Sequence, residues 1–398
     1  MVKLLFFNNK KTLKNIIIII IIISIITFSA DAKKNNKTKY QTKKFNNNNL
    51  SIQEKINAAE PGDTIFVKNG TYYENIVINK PINLIGENKK NTIIDGKNLS
   101  DTITIESENV KIMNFTIKNG TGNGVNNIFR AGIRILKSNN TIKQNIIKDN
   151  NVGLFTRRIK NTTIEDNQFI NNSILLSPYD VVEIDIDFKI DYFIQNIKNN
   201  SVNGKDIVYL INEKNKKISY ETGQIIAVNC NNISIDNLSF SKCDYSLLLI
   251  SCKKCIIKNS DFINDADIWL LNCQNNLFEN NLMKKNFHGI TLDYSSKNNK
   301  FISNNFSNNT YMGVMIEKQS NYNIFKKNNF MNNLRGAYIV KSFKNKWINN
   351  YWQKRIIKND FLKKFLPKII FGSLTTKQHK IPTLINFDLE PAKTPYII

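Results

Sequence analysis

The chain has 398 residues, 56 Lys and Arg against 32 Asp and Glu, a formal net charge of +24 and only two His. So few His leave little material for a His-rich metal site. Lys far outnumbers Arg, and no Arg–aromatic cluster of the nucleic-acid-binding type is present, which excludes nucleic acid as the expected partner.

Residues 1–32 have the layout of a secretory signal. Lys10, Lys11 and Lys14 precede an apolar stretch from Ile16 to Phe28, and Ala30-Asp31-Ala32 supplies small residues for cleavage. The stretch is short for a membrane span, which needs about 20 residues. Contact with a membrane is therefore expected only through this signal, or through it as an uncleaved N-terminal anchor, and the protein is expected to be secreted or held at the cell surface. Residues 33–49 are polar, basic and aperiodic, as in a flexible tether.

Ser51 and Glu54 have capping-box spacing and open a short helix with Ile52, Ile56 and Ala59 on one face. Such a helix can cover the open strand edge of a first coil. Short β-type runs follow from residue 64 onward, too short for helices and rich in Ile, Val and Phe.

From residue 142 an apolar anchor returns every 22 residues or so: Ile147, Phe169, Phe240, Phe262, Met283, Phe306, Phe330 and Trp352. Five positions upstream of each stands another: Ile142, Ile164, Ile235, Ile257, Phe278, Phe301, Phe325 and Trp347. Asn145, Asn167, Asn237, Asn259, Asn280, Asn304, Asn328 and Asn350 lie between them. A sustained repeat of this length means a solenoid. Leucine-rich repeats are excluded by the absence of regular Leu spacing and of a helical segment. The spacing predicts an all-β, right-handed parallel β-helix over residues 50–352 with stacked Asn ladders.

A second strand follows each anchor, with Gly289, Gly313 and Gly336 at its start. Period-2 geometry sends Ile290, Leu292, Val314, Ile316, Ala337 and Ile339 inward, and Thr291, Asp293, Met315, Glu317, Tyr338 and Val340 outward. The beat breaks between Phe169 and Phe240, which predicts irregular coils or a hairpin excursion over about 175–228. It stops after Trp352, so residues 353–398 are expected to form a C-terminal cap, or a strap lying along the solenoid.

Candidate chemistry lies on the outward columns. Asp267 beside His288 would make an acid–base pair, and Asp293 beside Glu317 would stand about one coil apart, near the spacing of paired glycosidase carboxylates. Tyr245, Trp269, Arg335 and Tyr338 offer rings and a guanidinium to a sugar polymer. Glu183, Asp185, Asp187 and Asp191 form a carboxylate run that could hold Ca2+ through oxygen ligands or simply line a solvated strand. Cys252 and Cys255 have CxxC spacing, and a soft Cu(I) site there is the minority reading. Against it, Cys230, Cys252 and Cys273 share one column with Ser138, Ser295 and Ser342, as a stack of small core residues would. Stacked Cys would also approach disulfide range.

The segment SIQEKINAAEPGDTIFVKNGTYYENIVINKPINLIGENKKNTIIDGKN, with PGDTI, NGTYYENIVI, INLIGE and TIIDG in order, resembles the opening of NosD-like proteins. YFIQNIKNNSVNGKDIVYLINEKN, VNCNNISIDNLSF and the final NNYW are also similar to archaeal members. The resemblance implies a pectin-lyase-like, exported β-helix with a carbohydrate-binding or sugar-hydrolase type of module, and brings no catalytic motif. Together these readings predict a monomer that recognises polysaccharide or another cell-surface polymer. A carbohydrate-active enzyme and a copper-binding accessory protein stand as alternatives.

Overall fold

The structure, a computed structural model, describes residues 50–121, 130–178, 188–353, 367–373 and 384–398. The expected signal, the tether, Glu183, Asp185 and Asp187 lie outside these residues, as does the second His, His379.

The helix Ile52–Ala58 (α1) forms as its sequence requires. The Ser51 side chain accepts from the Glu54 amide, and the Glu54 carboxylate accepts from the Ser51 amide. Glu74 adds two further bonds, accepting from the amides of Ile52 and Gln53 at 2.9 Å each. Ile52 and Ile56 are fully buried over the first coil. No helix among the described residues is long and apolar enough to cross a membrane.

The remainder is a parallel β-solenoid of about 12 turns. Short strands pair in register with their counterparts one turn away: Ile142 with Ile112 and Ile164, and Phe301 with Phe278 and Phe325. Phe262, Met283, Phe306, Phe330 and Trp352 are likewise successive partners, so the anchor column is one interior stack. Side chains of equal shape stack because each turn has nearly the same length. The rings of Phe278, Phe301, Phe325 and Trp347 lie almost parallel, with centroids 5.1, 4.6 and 4.2 Å apart.

Asn ladders run along three corners. One comprises Asn281, Asn304, Asn328 and Asn350 and ends on the Asp388 carboxylate. The second comprises Asn276, Asn299, Asn323 and Asn345. The third comprises Asn286, Asn309 and Asn333. In each ladder the amide oxygen accepts from the preceding turn, while the NH2 donates to a backbone carbonyl further back, as Asn304 does to Phe278 O at 2.9 Å. Buried backbone groups at the corners are thereby satisfied without water.

The expected ladder is off by one residue at three places. Asn237, Asn259 and Asn280 take left-handed backbone angles, with φ of 58°, 51° and 53°, and form the bend instead. The ladder position one residue later holds Leu238, Ser260 and Asn281. Asn pairs offer two residues suited to two roles, and only the turn decides which takes which. The small-residue column shifts likewise. Cys273 N donates to Ser296 Oγ, and the series runs on through Ser320 to Ser342, whereas Ser295 sits in the bend at φ 62°.

Gly289 and Gly313 begin their strands as expected, for a packing reason. A Cβ on either would come within 2.5 Å of the carbonyl oxygen of the next glycine in the column. The strands Lys368–Ser373 and Leu384–Asp388 form an antiparallel pair that continues the end of the stack, Ile339 pairing with Gly372 and Trp347 with Asp388. The Tyr396 phenol donates to Asn349 O at 2.6 Å and ties down the last residues.

Candidate binding pocket at the seam between two stacks

The break in the repeat is a seam. Upstream, one sheet ends with the strand Ile174–Ser177, and a second ends at Ser201–Val202, which turns back through Asn203-Gly204 to pair antiparallel with Lys205–Ile211. Downstream, regular coils resume with Gln224–Val228. Side chains cross the junction where strand pairing lapses. The Gln224 amide accepts from Ile174 N at 3.2 Å and donates to Ile174 O at 2.7 Å and Tyr245 O at 2.8 Å. Asp244 accepts from Ser173 N, Ser173 Oγ bonds the Tyr245 backbone, and Asn203 donates to Ser241 O and Lys242 O.

A cavity of about 560 Å3 opens at this seam. Its upstream wall is Asn150, Asn151, Val152 and Asn171, and its downstream wall includes Lys242, Asp244, Tyr245, Asp265, Asp267 and Phe287. Burial raises all three carboxyls: Asp244 and Asp267 stand well above the carboxylate range, and Asp265 stands above it. Two of the three have structural work. Asp267 accepts from the amides of Phe287 and His288 at 3.1 and 3.0 Å, and Asp244 accepts from Ser173 N. Asp265 is the exposed carboxyl.

Of the expected site residues, only Asp267 and Tyr245 line this pocket. His288 comes next to Asp267, its Nδ1 3.9 Å from Oδ2, but both carboxyl oxygens already hold backbone amides. Burial lowers the imidazole pKa to about 4, so the ring is neutral near pH 7, and no described residue bonds Nε2. The two residues are neighbours without forming an ion pair.

Asp293 and Glu317 are also brought together, since Leu292 pairs with Ile316 on adjacent turns. Asp293 is 0% exposed and accepts from Tyr294 N at 2.8 Å. Burial, and then the Asp293 charge, push Glu317 up to about 8. The fully buried Asp293 carboxyl cannot reach a glycosidic bond, so the glycosidase-like pair is corrected: of the two, only the half-buried Glu317 is partly open to solvent.

The sugar-stacking face is corrected too. Trp269 is 4% and Tyr338 9% exposed. Tyr338 clusters with Met312 and Val340, with Met315 and Phe371 against them, and the Arg335 guanidinium lies 5.0 Å over its ring. Further along, the Phe188 ring packs 5.3 Å from Tyr294. Phe371 and Phe188, both from outside the regular repeat, pack on this outward face, which period-2 reasoning cannot see. Upstream the same face buries a pair that sequence reasoning missed, Arg134 with Asp101 at 2.8 Å.

Cys252 and Cys255 are buried free thiols, and Cys255 lies in the interior as its alignment with Ile233 required. Among the described residues, no group of three or more His, Cys, Asp or Glu side chains is arranged to hold a metal ion. Asp191 lies in a 3-10 turn (Ile190–Phe193) and pairs with Lys160 at 2.8 Å.

The family described as periplasmic copper-binding protein (NosD) matches residues 184–363. Over this stretch the chain is NosD-like. The NosD-like stretch covers the seam's downstream wall and the regular stack, and a periplasmic family is consistent with an exported protein. No curated protein matches the chain. Among solved structures, the A-module of a mannuronan C-5 epimerase from Azotobacter vinelandii is 11% identical, covering 75% of this chain and 92% of its own, with a TM-score of 0.29. A lacto-N-biosidase from Eubacterium ramulus is 11% identical (72% and 62%, TM-score 0.31). A pectin methylesterase from Yersinia enterocolitica is 10% identical (74% and 90%, TM-score 0.27). No residue role is carried over from them.

Proposed function

We propose that this is an exported glycan-recognition protein that holds a short saccharide segment in the seam pocket. The observation that carries the reading is the pocket's lining. Asp, Asn, Lys and Tyr residues line it together with Phe287, in a cavity large enough for a few sugar units. Sugar rings present hydroxyls in many directions with apolar C–H faces between them, and this mixture answers both. Surface polymers other than polysaccharide remain within the reading if they carry the same hydroxyl-rich chemistry. The buried Trp269–Tyr338 face is no part of it.

Catalysis at the same pocket is the second reading, favoured by one observation: Asp265 is exposed, yet its carboxyl is held above the usual range, as a general acid requires. Incubating residues 33–398 with a polysaccharide panel separates the two. Binding without new reducing or unsaturated ends supports recognition, and turnover abolished by Asp265→Asn supports catalysis. Retention of no glycan at all would end both. Copper handling, which the family description suggests, is not proposed, because its support here is the family name alone.

A further inference from the structure

The cysteines take no part in the pocket, and four of them meet in the core. Cys230, Cys252 and Cys273 stand at equivalent positions on three successive turns. Lys253 N donates to Cys230 O and Gln274 N to Cys252 O, both at 3.0 Å, and Asn231, Lys253 and Gln274 form consecutive parallel bridges beside them. Cys255 lies three residues beyond Cys252 at the next inward position. All four are buried, none more than 1% exposed. Cys252 is the middle member of the column, so either pair of cysteines on adjacent turns includes it, and Cys255 follows it on the same turn. Cys243 belongs to another corner, where its amide donates to Asp265 O at 2.9 Å.

Adjacent turns of a parallel sheet are about 4.8 Å apart. That separation falls within the Cα range of protein disulfides, about 4.4 to 6.8 Å. Stacking therefore places the column's thiols within bridging reach with little backbone movement.

We propose that Cys252 is the shared member of a single core disulfide, closed on Cys230, Cys255 or Cys273. Within the column every adjacent-turn pair includes Cys252, so only one such bond forms there and the remaining cysteines stay reduced. The oxidant is a low-molecular-weight disulfide. The thiolate of Cys230, Cys255 or Cys273 attacks one of its sulfurs and expels the first thiol. The Cys252 thiolate then attacks the mixed disulfide and expels the second. Two protein thiols give up two protons and two electrons, and the small disulfide is reduced to two thiols. Because the sulfurs are buried in the finished core, the exchange belongs to folding, while the turns are still open.

The test is to refold the full chain with oxidised and reduced glutathione, alkylate in denaturant, and map peptides before and after reduction. Two of the five thiols should resist alkylation until reduction, and the linked peptide should contain Cys252. Cys243→Ser should keep the link and Cys252→Ser should lose it. Reaction of all five thiols at once overturns the proposal, as does a link that omits Cys252. If Cys252→Ser fails to fold, the wild-type map and Cys243→Ser still decide the matter.

Discussion

The turns downstream of residue 276 and the seam near residues 173–267 are built by opposite means. Downstream, three corners repeat an Asn amide from turn to turn and the interior columns repeat large apolar side chains, so each turn satisfies the next with similar bonds. At the seam, one-off side chains do that work: Gln224, Asp244, Ser173 and Asn203. Identical rungs close the gap between turns completely. Unlike rungs leave room, and the pocket lies in that room. Regularity stabilises this molecule, and the lapse in regularity supplies its concave surface.

Breaking the regular side should cost the most. Asn304→Ala removes a fully buried amide whose oxygen accepts from Asn281 and whose NH2 donates to Phe278 O and Asn328 Oδ1. At roughly 1–3 kcal/mol per stranded buried group, a loss of about 3 kcal/mol or more is expected in urea unfolding. A loss below about 1 kcal/mol would mean that the ladder is decorative. Gln224→Ala breaks the seam instead, removing the side-chain partner of Ile174 N and Ile174 O and one of the two donors to Tyr245 O. About 2 kcal/mol is expected from the same principle. Faster amide exchange should be confined to the seam, with the Asn281–Asn350 ladder unchanged.

The third contrast is one of pH. Glu317 titrates near 8 when folded and about 4.3 when unfolded. The folded state therefore binds the extra proton across that window, and stability falls as pH rises through it. Glu317→Gln should flatten this decline in melting temperature between about pH 4 and 8, and an unchanged slope would show that Glu317 is ionised in the fold. Smallest is a repair. Ser260 stands where the ladder is interrupted, and its amide already donates to Asn281 Oδ1 at 3.0 Å. Ser260→Asn should extend the ladder by one member and add up to about 1 kcal/mol, with no loss of glycan retention.

Much of this was legible in the chain. The anchors Phe262, Met283, Phe306 and Phe330 were placed correctly because their spacing alone sets which residues touch. The capping box of α1 needed only Ser51 and Glu54. Legibility failed where two residue types compete within one bend, as with Asn280 and Asn281 or Ser295 and Ser296. It failed again at burial: period 2 gave the direction of Trp269, Tyr338 and Asp293 but not that they are buried, and chain outside the repeat such as Phe371 packs against the Tyr338 cluster. The pocket was half visible. Tyr245 and Asp267 were singled out, whereas Asn150, Asn151 and Asn171 carried no signal linking them to residues beyond the break.

By itself the sequence determined the parallel solenoid, its interior columns and its capped start, because a repeat of constant length forces equivalent residues into contact whatever else the chain does. Only the tertiary structure decided which outward faces are covered and where the pocket lies. Those depend on contacts between segments that share no repeat, and no periodicity records them.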